Sequence, residues 1–236
     1  YGGYRAQGAF THSLTYGNYI SVAAVMVLAA TLHRLTDLSS LMVKFAAAAG
    51  FLAFVATVLS FSRGPIIGLA VCLLILVVYL RTRKAIATVV LCGLVSILVL
   101  WQLPGMTDRF TEQTTIRDAD TYQGGRLYIW NHSWQILKDN PVTGVGPANF
   151  RERYQTTLPE DTHPRFIFPH AHNDPLHIAV IGGIPAAILW LALWLVILLV
   201  AWQGQRLPND ARPAAGAYNF ALLLGSLMFL MTSLTE

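Results

Sequence analysis

Charge is scarce in this chain. Of its 236 residues, 12% are Asp, Glu, Lys or Arg, against about 25% in ordinary soluble domains. Halving that share leaves too little polar surface to cover a water-soluble globule of this size, and 55% hydrophobic residues with a mean hydropathy of +0.52 point the same way. The long apolar runs contain no acidic residue at all, so no carboxylate relay for protons is visible in them. Cysteine is reduced to Cys72 and Cys92, both inside apolar runs. They read as small buried hydrophobes and exclude a disulfide framework. A first Met and a charged leader are also missing. The chain opens at Tyr1 and is read as a fragment or trimmed chain, not as one that starts with a signal peptide. No internal repeat or low-complexity tract interrupts it.

What is present is a series of about six apolar stretches, near residues 16–32, 41–61, 64–80, 85–103, 175–202 and 214–234. Each approaches the ~20 residues that cross a hydrocarbon core. The expected class is an all-α polytopic membrane bundle, one membrane domain over residues 1–236 with a large, partly helical outer loop at 104–174. The second and third stretches are parted only by "SRGP" and form a tight hairpin. Basic residues gather in alternate short links: Arg34 and Lys44, then Arg81, Arg83 and Lys84, then Arg206 and Arg212. That pattern puts these links in the cytoplasm and the 104–174 loop outside. The net charge of +4 is therefore read as topology, and no nucleic-acid partner is expected.

The outer loop is too long for a passive connector. "GGRLYIWNHSWQILKDNP" reads as an amphipathic helix, opened after Gly124–Gly125 and stopped at Asn140–Pro141. Leu127, Trp130, Trp134 and Leu137 recur at helical spacing, a stripe suited to the membrane interface. "PVTGVGPANF" then turns, and "ANFRERYQTTL" suggests a second short helix.

Several groups carry chemical potential. Arg63, in "FSRGPII", is an expensive charge at the mouth of the membrane. It reads either as a functional cation or as a snorkelling anchor. Arg126 opens the amphipathic helix, where its charge opposes the helix dipole; two cooperating cations make sense there if the partner is a phosphate. The alternative is a solvated loop arginine. In "FPHAHNDPLHIAVIGGIP", His170, His172, Asn173 and Asp174 sit against an apolar run. They fit general acid–base work, a metal site with His163 or His177, or an interfacial cap without chemistry. If that loop is extended, His170 and His172 point to opposite sides. "DAD" at 118–120 matches a short metal-binding pattern of sugar transferases, but such triplets arise by chance, and "NHS" at 131–133 carries no weight as a sequon. Arg5, Gln7, His12 and Asn18 lead into the first span and read as substrate contacts or as a polar lead-in.

Taken in order, these pieces resemble the O-antigen ligase and O-antigen polymerase superfamily of bacterial envelope proteins. The resemblance rests on "YRAQGAFTHSLTYGNYI", "FSRGPIIGLAV", "GGRLYIWNHSWQILKDNPVTGVGPANF" and "HAHNDPLHIAVIGGIP". The last of these fits a ligase pattern of His, then Asn, Ser or Gln, nine residues, then Gly, here His172, Asn173 and Gly183. Members usually have about twice as many spans, so this chain would be a C-terminal catalytic core. The resemblance implies glycosyl transfer at the outer face of the bacterial inner membrane. The donor is a glycan on undecaprenyl diphosphate. The acceptor is a hydroxyl of lipid A–core for a ligase, of another carrier-linked glycan for a polymerase, or of a protein in related members. It implies no metal and no other cofactor, with Arg63, Arg126 and His172 as catalytic residues. Arg5, Gln7, His170, Asn173 and Asp174 are the expected substrate contacts. A membrane transporter or a metal-binding membrane protein are the readings from other classes.

Overall fold

The computed structural model describes residue 9 and residues 13–33, 39–101, 124–205 and 215–234. The chain is all-α: eight α-helices and one 3-10 turn account for the regular structure of the described residues, and no strand occurs among them. Four apolar helices come first: α1 (Ser13–Leu32), α2 (Ser40–Leu59), α3 (Arg63–Leu80) and α4 (Arg83–Trp101). Then come α5 (Arg126–Asp139), α6 (Phe150–Thr156) and the turn Pro164–Phe166, followed by α7 (Asp174–Gly204) and α8 (Ala215–Ser233). Among the described residues, α1, α2, α3, α7 and α8 are long and apolar enough to cross a membrane. α4, with 19 residues, coincides with the remaining expected span.

The chain divides into two compact units. The first comprises Tyr1–Met106 and Val196–Thr232; the second comprises Thr107–Leu195 and Ser233–Glu236. In the first unit the core is drawn from several helices: Ala24, Val25 and Leu28 of α1, Phe54 of α2, Leu69 and Leu76 of α3, and Phe220, Leu224 and Met228 of α8. Small residues set the spacing. A Cβ at Gly225 would collide with Met26, so these two helices approach as closely as glycine allows. The opposite faces carry Phe45, Leu52, Leu74 and Leu98 in the open, which suits hydrocarbon and not water. Local chemistry ends and starts the helices. Ser39 caps α2 by accepting from the Met42 N–H. Arg81 closes α3 in a left-handed conformation, and Thr82 caps α4 through the Ala85 N–H.

The second unit has its own apolar core of Ile129, Ile136 and Leu137 from α5, Phe150 and Tyr154 from α6, and Ala179 and Val180 from α7. Here the structure corrects the expected stripe of α5. Ile129, Ser133, Ile136 and Leu137 form the buried face, while Leu127 and Trp134 are exposed. Leu137 therefore belongs to the core, and only the other side of the helix, with Leu127 and Trp134, remains to meet an interface.

α7 is broken. Gly183 takes φ 78° and ψ 172°, a backbone region open in practice only to glycine. The break has a cause in the next residues. Pro185 has no N–H to give the Ile181 carbonyl, and the Ile184 N–H is diverted to the Pro141 carbonyl at 2.8 Å. The released carbonyls are taken up by the 141–146 turn. Val145 N–H donates to Val180 O at 2.9 Å and Gly146 N–H to Ile181 O at 2.8 Å. Three backbone hydrogen bonds thus clasp this turn to the broken helix. The approach needs glycine on both sides: a Cβ at Gly183 would strike the Val142 carbonyl, and one at Gly144 the backbone of Ile181 and Gly182. The fifth expected span, 175–202, is accordingly two segments. The first turns pack in the second unit's core, and the stretch after the break still has the ~20 residues that a bilayer requires.

Gly183→Ala should therefore destabilise the protein by about 1–3 kcal/mol from backbone strain alone, with the collision at Val142 adding to it. Gly93→Ala, in open space on α4, should be neutral or slightly stabilising. Thermal melts of both variants in detergent check this; equal melting temperatures would contradict the clasp.

Candidate functional site

Arg63 and Arg126 share a position that Arg83 of α4 also holds, though α4 is capped by Thr82. Each is the first residue of a helix, α3 and α5 respectively. Neither helix has an acidic residue in its first turn, and neither N-cap, Ser62 or Gly125, makes a side-chain cap bond. A cation at that end works against the helix dipole. An anion there would meet both the guanidinium and the first-turn N–H groups. Arg63 is exposed and Arg126 half-buried. They belong to different units of the chain.

The second unit builds the histidine loop with unusual local economy. Pro169 keeps the chain out of helix, and α7 starts at Asp174 with Pro175 in its first turn. Asn173 is the cap: its side-chain oxygen accepts from the Leu176 N–H at 3.0 Å, and its carbonyl accepts the first helical bond from the His177 N–H at 2.8 Å. The Asn173 amide group also donates to the Leu234 carbonyl at 3.4 Å. Asp174 places a carboxylate in the first turn, where the dipole favours it.

His172 itself takes a left-handed backbone, φ 53°. For a residue with a Cβ this costs roughly 1–2 kcal/mol, and such strain persists only where the surroundings impose it. Two imidazoles help impose it. The His172 N–H donates to His170 Nδ1 at 3.3 Å, and the Ala171 N–H donates to His177 Nδ1 at 3.4 Å. The turn also brings the two expected histidines together. Their rings lie 4.0 Å apart, with Phe168 5.4 Å from His172. An extended loop, with His170 and His172 on opposite sides, is thus not what forms, because the left-handed residue reverses the direction. The two are nevertheless distinct: His170 lends its Nδ1 to its neighbour's backbone, while His172 is the strained residue.

Some expected residues fall elsewhere. Arg5, Gln7, His12 and "DAD" at 118–120 lie outside the described residues, as do Arg34, Arg206 and Arg212. Asn18 lies on α1, buried, and its amide finds no hydrogen-bond partner among the described residues. Among the described residues no group of three or more His, Cys, Asp or Glu is gathered as a metal ion would need. Sequence reasoning passed over two features. One is His132, whose Nδ1 lies 3.1 Å from the Thr157 hydroxyl, and whose pKa burial pushes down. The other is Tyr154, fully buried between His132 and Phe168, its phenol pushed upward by burial and then by Tyr128. The 3–4 spacing of Tyr128, His132, Phe150 and Tyr154 on their helices was the available signal.

A family model described as O-antigen ligase matches residues 48–191, more than half of the chain. No curated protein matches it. The matched stretch contains Arg63, Arg126, the 141–146 turn, the histidine loop and Gly183.

The cap assignment makes a separable prediction. Asn173→Ala should cost about 0.5–2 kcal/mol of stability, and Asn173→Ser or Asn173→Asp much less. Thermal melts with a parallel activity assay check it. Stability untouched by Ala, with activity lost in Ser and Asp as well, would assign the amide to substrate and not to the helix.

Proposed function

The chain belongs to the O-antigen ligase family, and from that premise we propose that it transfers a glycan from undecaprenyl diphosphate to an acceptor hydroxyl at the periplasmic face of the bacterial inner membrane. The ligase reaction, with lipid A–core as acceptor, is the preferred form. Family membership carries glycosyltransferase-like activity on lipid-linked glycans. The carrier, the acceptor, the face of the membrane and the residue roles are the parts proposed.

One observation carries the reading: arginines stand at the first position of two helices that lack an acidic first turn and a side-chain cap. In the proposed step the glycosidic C1–O bond breaks and its electron pair stays on the departing diphosphate. Charge builds on phosphate oxygens. Arginine suits that task because its planar fork binds two oxygens and never loses its proton. Fixed cations at the developing charge stabilise the transition state without a metal ion. The acceptor hydroxyl attacks C1 from the opposite face, so the anomeric centre inverts. Its proton goes to His172, an imidazole able to accept it, whose loop is held by local hydrogen bonds. The His170 ring stands 4.0 Å from it, and Asp174, Arg5 and Gln7 are further proposed contacts.

Arg63→Lys and Arg126→Lys should each lose at least about tenfold in transfer despite keeping the charge, because the fork is lost. Transfer should survive EDTA. The assay uses lipid-linked donor and the full-length protein at matched expression. Normal transfer by both variants would end the diphosphate-clamp role, and loss with EDTA reversed by a divalent ion would end the metal-free mechanism. Deleting the gene and running glycan gels separates the forms of the reaction. Loss of all long glycan on lipid A–core marks a ligase; a single capped repeat marks a polymerase.

A further inference from the structure

His177 has no role in the reaction as proposed, yet it is the residue on which the histidine loop leans. It lies one turn into α7, below the Asn173 cap, and its backbone N–H is already spent on the Asn173 carbonyl. Its ring is fixed from two sides. The edge of the ring meets Phe150 of α6 at 4.8 Å, and the His170 ring stands 6.3 Å away. Phe150 is 1% exposed, so this wall is part of the unit's core.

Held in this way, Nδ1 of His177 accepts the N–H of Ala171. Ala171 is completely buried, and water has no access to replace that acceptor. The bond requires Nδ1 to be unprotonated, so in this arrangement the ring is neutral and carries its proton on Nε2. The next peptide leads into His172, which takes the left-handed conformation. A strained residue keeps its conformation only while its neighbours hold it there, and the Ala171 peptide is the neighbour.

We infer that His177 is a positioning residue: its Nδ1 latches the Ala171 N–H to the core and so fixes the backbone that presents His172 to the acceptor. The inference rests on the role given to His172 above, and it reaches that residue only through the loop. His177 itself touches no reacting atom. The acceptor must stand at the γ-branch of residue 177. Asparagine reproduces it, because its Oδ1 occupies the place of Nδ1 on the same short stem. Glutamine does not, because its oxygen stands one bond further out. The two amides share polarity and lack of charge, so they differ in acceptor placement and in little else.

The test compares His177→Asn and His177→Gln with wild type in the full-length protein. Hydrogen exchange is read by mass spectrometry on the peptide covering 168–176, with the α5 peptide as reference. Transfer is read with lipid-linked donor. The expected result is faster exchange of 168–176 in Gln but not in Asn, with the α5 peptide unchanged. Transfer should fall about 10–100-fold in Gln, in kcat with the donor KM unmoved, and recover in Asn. Wild-type exchange in Gln, or accelerated exchange in Asn as large as in Gln, overturns the latch. Should Gln loosen the loop and Asn restore it while transfer stays at the wild-type rate throughout, the latch stands and the role proposed for His172 falls. The exchange measurement decides the latch even where no transfer is detected.

Discussion

A helix can be broken among apolar neighbours only if the carbonyls it releases find new donors, since each buried unpaired group costs several kcal/mol. α7 breaks at Gly183, and the 141–146 turn supplies those donors through Val145 and Gly146 while the Ile184 N–H returns to Pro141. Much of the second unit depends on this exchange. It ties the chain after α5 to the start of α7. It lets the first turns of α7 pack with Ile129, Ile136 and Phe150 while the remainder stays apolar and exposed enough for lipid. It also fixes the base on which Asn173 caps the helix and His172 is strained. The interval from His172 to Gly183 is then a mechanical length: from the strained residue to the hinge that anchors its helix.

The second constraint is the cost of charge. A chain with 12% charged residues places few cations near its apolar helices, and those it keeps have positions to explain. Arg81 closes α3, and the exposed Arg83 and Lys84 open α4, whose start Thr82 caps; there anchoring is sufficient reason. Arg63 and Arg126 differ from Arg83 in that each begins a helix with no side-chain cap at its N-terminus, where its charge opposes the dipole. A positive end without an acid and with an added guanidinium is suited to an anion. In the function proposed above, the diphosphate of a lipid-linked donor would be that anion.

Much of this was legible in the sequence for physical reasons. Apolar runs of ~20 residues without acids have few alternatives to membrane helices, and the expected segments near 16–32, 41–61, 64–80, 85–103 and 214–234 match α1 to α4 and α8 closely. α5 was marked at both ends by Gly125 and Asn140. The buried face of α5 was less legible, since Leu127, Trp130 and Trp134 make as good a stripe as Ile129, Ile136 and Leu137. Only the partners α6 and α7 decide between two apolar faces. The break in α7 was hidden for a similar reason. Gly183 and Pro185 signal it, but the turn that completes its hydrogen bonds lies about forty residues earlier, and no local pattern links the two. The roles of Asn173 as cap and His177 as acceptor likewise depend on backbone N–H groups, which leave little trace in side-chain spacing.

The central claim is that His172, held strained at the head of α7, takes the proton of the acceptor hydroxyl. Single-turnover transfer by full-length His172→Ala protein, folded by thermal melt and loaded with lipid-linked donor, tests it most directly. Donor binding should persist while the transfer rate falls by about 10²–10⁴. A folded His172→Ala protein that transfers at the wild-type rate would contradict the assignment, and a dead His170→Ala protein beside it would move the base two residues upstream.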